Sequence, residues 1–224
     1  MALELFRDPA PIRGVLFDMD GVVIDSERLY TRFWAQAAND LGFPMTREQA
    51  LQLRSLGRGP GQAKLESFFG PAVSYDAIRA RRIELMDAYI AAHGVDEKPG
   101  IRALLTLLKE KHIPCAITSS SSIPLIREHL GKLGLLEGFT ALCSGKDVPR
   151  GKPAPDIYLA GAAAIGVAPE NCLAVEDSPA GIEAAWRAGC MAVIVPDQDQ
   201  PDGEVLGRCF AKEDSLFDLM TLIR

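Results

Sequence analysis

Asp18 and Asp20 flank Met19 and precede Gly21, directly after the apolar run Gly14-Val15-Leu16-Phe17. Carboxylates this close repel one another, so the pair wants a cation or a shared proton. A short apolar run ending in charge reads as a buried strand, and in open α/β sheets ligands bind at the carboxyl ends of the strands. Asp-x-Asp-Gly at a strand tip is therefore a candidate for magnesium-assisted phosphoryl chemistry with an aspartate nucleophile. Taken alone, the motif also reads as an acidic turn closed by glycine.

Three further strand ends carry polar residues of a matching kind. Thr118-Ser119-Ser120-Ser121-Ser122 follows the apolar stretch from Cys115. Hydroxyls and backbone N–H groups at a strand-to-helix turn form a neutral phosphate cradle, with an ordinary N-cap cluster as the alternative. In Arg150-Gly151-Lys152-Pro153-Ala154-Pro155-Asp156 two prolines frame the lysine. Pro153 restricts Lys152 to extended conformations, and a lysine held in one place suits a fixed cation against phosphate. Leu173-Ala174-Val175-Glu176-Asp177-Ser178-Pro179 repeats the opening device: apolar strand, paired carboxylates, helix start. Magnesium takes oxygen ligands from one or two carboxylates; Asp177 is a candidate facing Asp18 and Asp20, with capping by Asp177 or Ser178 as the alternative.

The elements that must position these groups alternate. Strand-like runs at 15–17, 115–118, 141–143, 173–175 and 192–195 are separated by helical patterns at 101–110, 125–133, 157–165 and 181–188. That alternation predicts an α/β fold with a doubly wound parallel sheet. One segment breaks it. From about Ser26 to His93 only helical patterns occur, interrupted at Gly42-Phe43-Pro44, Gly57–Gly61 and Gly70-Pro71. Its first helix carries a packing stripe of Leu29, Phe33, Trp34, Ala37 and Leu41. A helical block inserted right after the first strand is expected to sit as a lid above the carboxyl end of the sheet.

Composition narrows the function classes. Of 224 residues, 48% are apolar and 24% charged, the balance of an ordinary globule. With 24 Lys and Arg against 30 Asp and Glu, the formal charge is −6. This disfavours nucleic acid or an anionic membrane as the main partner, so an anionic substrate must meet local cations or a metal. The early charges of the first eight residues do not read as a signal peptide. The five cysteines are scattered, without a Cys-x-x-Cys pair, and read as reduced packing residues of a cytoplasmic protein. Three scattered histidines argue against a zinc site or a histidine-based triad.

The order Asp-x-Asp-Gly, hydroxyl turn, framed lysine, acidic pair resembles the haloacid dehalogenase superfamily of phosphotransferases. It is most similar to the subgroup with a helical cap inserted after the first motif, which includes beta-phosphoglucomutase and many sugar-phosphate phosphatases. The resemblance covers nearly the whole chain. It implies a core of residues 1–24 and 95–224 and a cap of 25–94. By the resemblance Asp18 is the nucleophile and becomes a transient aspartyl phosphate, while Asp20 is the acid and then the base. The phosphate-binding hydroxyl falls on Ser119, with Thr118 open because the register is ambiguous by one, and Ser120 lies beside it. Lys152 pairs with phosphoryl oxygens and Asp18. Magnesium is held by Asp18, the Asp20 carbonyl and Asp177, with Glu176 as a further candidate. Asp25-Ser26-Glu27 has the phosphatase form, and Glu27 and Arg58 are candidate substrate contacts, with Arg54 and Arg82 as other cationic positions or solvated helix faces. Tyr30 stands where beta-phosphoglucomutase has a histidine. The expectation is a magnesium-dependent phosphatase of a small phosphorylated metabolite, monomeric and cytoplasmic. A phosphomutase is the alternative, and a non-catalytic metabolite-binding regulator is a third.

Overall fold

The computed structural model describes residues 4–5, 11–53, 56–197 and 200–223. The chain divides into two compact units, Met1–Asp25 with Asp96–Arg224, and Ser26–Val95. The strands are β1 (Glu4–Leu5), β2 (Gly14–Phe17), β3 (Cys115–Ser119), β4 (Ala141–Ser144), β5 (Cys172–Glu176), β6 (Met191–Ile194) and β7 (Ala211–Lys212). All belong to the first unit, in one sheet of order β1-β7-β6-β5-β2-β3-β4. The pairs from β7 through β4 are parallel, and β1 pairs antiparallel with β7. This is an α/β fold with a six-stranded parallel sheet. The residues of β2, β3, β5 and β6 are buried throughout, which is why they read as unbroken apolar runs and not as alternating ones.

The helices, in chain order, are α1 (Glu27–Asp40), α2 (Arg47–Leu51), α3 (Arg58–Phe69), α4 (Tyr75–His93), α5 (Ile101–Glu110), α6 (Ile123–Lys132), α7 (Asp156–Ala164), α8 (Pro179–Arg187), α9 (Gly203–Leu206) and α10 (Leu216–Leu219). Those from α5 onward belong to the sheet unit. Strand order reverses at β2, which has β3 and β4 on one side and β5 to β7 on the other. The carboxyl ends beside β2 therefore form the switch point where such sheets bind ligands. Helix α7 reaches the sheet closely through Gly161, where an added Cβ would lie 2.6 Å from Thr118 Cγ2. Leu16, Ala116, Tyr158, Ala174 and Ile182 share the core beneath it.

The second unit contains α1 to α4 and packs its own core from Trp34, Ala37, Met45, Leu53, Leu65, Tyr75 and Ile78. Helix α2 begins in a capping box between Thr46 and Gln49, and Ser74 caps α4. Two sequence expectations fail here. The expected break at Gly57–Gly61 ends at Gly57, the N-cap, because α3 starts at Arg58 and runs through Gly59-Pro60-Gly61. Proline fits the first turn of a helix, and Gly61 is glycine for packing: a Cβ there would lie 2.5 Å from Tyr75 Cε2. Leu41 is not part of the buried stripe; it follows α1 as its C-cap and is exposed.

Where the chain leaves and re-enters the sheet unit, its two linkers pair. The Asp25 N–H donates to the Asp96 carbonyl at 2.8 Å, the Lys98 N–H donates to the Val23 carbonyl at 2.9 Å, and Ile24 bridges Glu97 antiparallel. No described helix is long and apolar enough to cross a membrane.

Candidate active site

Strand β2 ends at Phe17, and the Asp18 N–H still donates to the Val175 carbonyl at 2.9 Å. Asp18 is thus held in register with β5, just past the edge of the core. Met19 turns into the interior and Asp20 is half-buried. Gly21, at φ 80°, starts a tight return in which its N–H donates to the Ile24 carbonyl at 2.9 Å. Glycine adopts this left-handed backbone without strain.

Strand β5 delivers Glu176, fully buried, and Asp177, nearly so. Ser178 caps α8 by accepting the Gly181 N–H at 3.1 Å. A Cβ on Gly181 would fall 1.9 Å from the Glu176 carboxyl carbon, so the start of α8 closes over Glu176 only because that residue is glycine.

Lys152 joins the two strand ends. Its Nζ lies 2.5 Å from Asp18 Oδ1 and 2.5 Å from Glu176 Oε1. The Tyr158 hydroxyl donates to the same Glu176 oxygen, and Ser178 Oγ donates to Oε2 at 3.1 Å. Burial works against the Lys152 charge, but Asp18 and Glu176 outweigh it and hold the ammonium well above its ordinary pKa. Burial pushes the Asp18 carboxyl up to about 8; Lys152 opposes this, while Glu176 and Asp20 add repulsion. Burial and the Glu176 charge raise the Tyr158 hydroxyl.

One ammonium thus faces several carboxylates. Oxygen atoms of Asp18, Glu176 and Asp177 lie within 4.8 Å of one another, a hard-oxygen, anion-rich set of the kind magnesium takes. The residues fit a divalent cation on donor chemistry and on charge.

The hydroxyl turn divides in two. Thr118 is fully buried and its hydroxyl donates to the Phe17 carbonyl at 3.1 Å, tying β3 to β2. Ser119, the last residue of β3, accepts the Ser121 N–H at 3.1 Å, and exposed Ser120 begins the turn into α6. Strand β4 steadies that turn: Ser144 Oγ donates to the Ser121 carbonyl at 2.8 Å, and the Gly145 N–H donates to the Ser119 carbonyl at 2.7 Å.

The remaining candidates lie in the helical unit. Glu27 opens α1 and is half-buried. Arg58 opens α3, is exposed, and pairs with Asp76. Arg82 is not a solvated helix face: it is buried in α4 with its guanidinium 4.5 Å from the Tyr30 ring and 5.3 Å from the Trp34 ring, and burial lowers its pKa. Arg54 lies outside the described residues. Sequence reasoning missed Tyr158. The signal for it was a tyrosine among the apolar positions of the helix after the framed lysine, whose polar tip must find a partner if buried.

Known proteins resemble this chain along most of its length. A profile for haloacid dehalogenase-like hydrolases matches residues 12–189. Hexitol phosphatase A of Escherichia coli (strain K12) is 33% identical over 191 residues, covering 82% of each chain. Beta-phosphoglucomutase of Bacillus subtilis (strain 168) is 33% identical over 199 residues, covering 85% of each. A family hydrolase from Deinococcus radiodurans R1, solved with bound phosphate and sodium, superposes with a TM-score of 0.80 at 27% identity over 96% of both chains. With that profile spanning most of its length and such relatives aligned along it, the chain belongs to the haloacid dehalogenase-like hydrolase family.

Proposed function

We propose that the chain is a magnesium-dependent phosphatase of a small phosphorylated metabolite, a sugar phosphate, acting through a phosphoryl group carried transiently on Asp18. The observation behind this reading is the Lys152 ammonium, 2.5 Å from both Asp18 and Glu176 among carboxylates at the switch point of the sheet. A fixed cation beside a buried carboxylate suits charge that shifts between a nucleophile and phosphoryl oxygens.

In this mechanism an ionised Asp18 oxygen attacks phosphorus, and the bond from phosphorus to the sugar oxygen breaks on the opposite side. Asp20, two residues along, gives its proton to the departing oxygen. It then takes a proton from the water that attacks the phosphorus of the aspartyl phosphate, releasing inorganic phosphate and restoring the Asp18 carboxylate. Lys152 offsets charge on the phosphoryl oxygens, and Ser119 with the N–H groups of the turn at Ser120 holds them. Asp18, Asp177 and the Asp20 carbonyl would hold magnesium, with Glu176 close by; when bound, the ion neutralises negative charge on the carboxylates and the phosphoryl group. The helical segment acts as the substrate-selecting cap, with Glu27 and Arg58 as its contacts. The enzyme works as a cytoplasmic monomer on a small molecule, without nucleic acid or membrane partners.

Similarity to a beta-phosphoglucomutase supports a second reading, in which the phosphoryl group returns to the sugar. Tyr30, at a position where the resemblance leads a phosphomutase to be expected to carry a histidine, weighs against it. Phosphate release from a panel of sugar phosphates and small phosphate esters, with magnesium or with chelator, tests the proposal. Magnesium-dependent release that Asp18→Asn abolishes is expected; release insensitive to both changes overturns it. Conversion of a hexose 1-phosphate that requires a sugar bisphosphate and frees little phosphate selects the mutase reading.

A further inference from the structure

Tyr158 takes no part in the steps above, yet it reaches the charges that drive them. It is fully buried on α7. Its hydroxyl donates to Glu176 Oε1, the oxygen that also meets Lys152 Nζ at 2.5 Å, and its ring centre lies 5.2 Å from that ammonium. Ser178 Oγ occupies the other Glu176 oxygen at 3.1 Å.

Lys152 stands between two carboxylates that compete for it. In a poorly solvated interior such competition is strong. Fully buried Glu176, without other donors, would draw the ammonium toward itself and away from Asp18, because an uncompensated buried carboxylate is costly. Hydrogen bonds from two hydroxyls spread the Glu176 charge and fix the direction of its carboxylate. The ammonium then remains available to Asp18 and to a phosphoryl oxygen.

The fold is shaped for this contact. Gly161 lies one turn after Tyr158 on the same side of α7, and its missing Cβ lets the helix approach Thr118 closely. Gly181 clears the space that the Glu176 carboxylate fills. Phenylalanine would pack at position 158 equally well; the hydroxyl adds only the bond to Glu176.

We propose that Tyr158 is a positioning residue for phosphoryl transfer, acting through Glu176 to keep the Lys152 ammonium shared with Asp18. The inference deepens the phosphatase reading and takes from it the roles of Asp18 and Lys152.

The test is a four-protein cycle of wild type, Tyr158→Phe, Lys152→Met and the double variant. Each is measured for ester hydrolysis and for binding of orthovanadate in magnesium, with melting temperatures recorded. Tyr158→Phe is expected to lower kcat by about tenfold, the range for removing a group that orients a catalytic ligand, and to move KM by less than about threefold. Vanadate affinity falls by about tenfold in the Lys152 background and by less than about twofold in the Met background, because one effect acts through the other. Equal losses in both backgrounds, or a Tyr158→Phe protein with wild-type kcat and vanadate affinity, overturn the inference and leave the phosphatase reading standing. Vanadate binding that needs Lys152 and weakens in Tyr158→Phe, with no ester hydrolysed by wild type, supports the positioning role and removes the phosphatase reading. Absence of Lys152-dependent vanadate binding in wild type overturns both.

Discussion

Asp18 is placed where charge is least comfortable. Its carboxyl is pushed up to about 8, first by burial, against the pull of Lys152 and with repulsion from Glu176 and Asp20. A carboxyl whose folded pKa lies above its unfolded value contributes stability that is complete below about pH 4 and is lost as pH rises through about 8. In metal-free protein the Asp18→Asn variant, which carries no such charge, should therefore gain on wild type between pH 5 and pH 8. The expected gain at pH 8 is a melting temperature higher by on the order of 2–4 °C, in a protein without turnover. A lower melting temperature for the variant at pH 8 would show that the bond to Lys152 dominates. The stretches around Asp18, Lys152 and Asp177 were legible because each lies in a short local pattern of strand, charge and turn. The inward turn of Glu176 was not. It depends on Tyr158, 18 residues away on another element, and on a glycine whose absent side chain leaves no mark of its own in a sequence.

Elements were legible where one period persisted. Buried strands β2, β3, β5 and β6 announce themselves as apolar runs, whereas β1 and β7, two residues each, are too short to show any period. Glycine was the main source of error, since one residue type marks both helix ends and close packing. Two helical glycines should behave oppositely. Gly161→Ala would set a methyl 2.6 Å from Thr118 Cγ2 and 3.2 Å from Leu16 Cδ2, forcing α7 off the sheet at a cost of about 1–3 kcal/mol. Gly131→Ala on α6 meets nothing within 4 Å and should stabilise by about 0.4–1 kcal/mol through the entropy of the unfolded chain. Thermal unfolding of both variants decides this, and a stabilised Gly161→Ala would refute the packing argument. Activity should fall in Gly161→Ala alone, because α7 carries Tyr158.

At the scale of the whole molecule, the cysteines report on opening. Burial pushes Cys115 and Cys190 up to about 12 and Cys172 to about 11, so the reactive thiolate is scarce near pH 8. Iodoacetamide followed by mass spectrometry should modify half-buried Cys143 first and the four buried cysteines, Cys115, Cys172, Cys190 and Cys209, only on unfolding. Magnesium with phosphate should slow their labelling further by favouring the folded state. Rapid native labelling of Cys115 would contradict this. The helical insertion was legible at this scale as a gap in the alternation of strands and helices. The pairing of its two linkers was not, because Val23–Asp25 and Asp96–Lys98 lie some seventy residues apart and carry no shared motif. That pairing has an evolutionary consequence. The ends of the insertion are joined by the sheet unit's own hydrogen bonds, so a change in the length between them alters the cost of closing the chain only slowly, by about 0.6 kcal/mol per doubling. A lineage can lengthen, shorten or exchange that segment while the sheet keeps its register, so whatever the segment contributes can change without rebuilding the strand ends that carry Asp18 and Asp177.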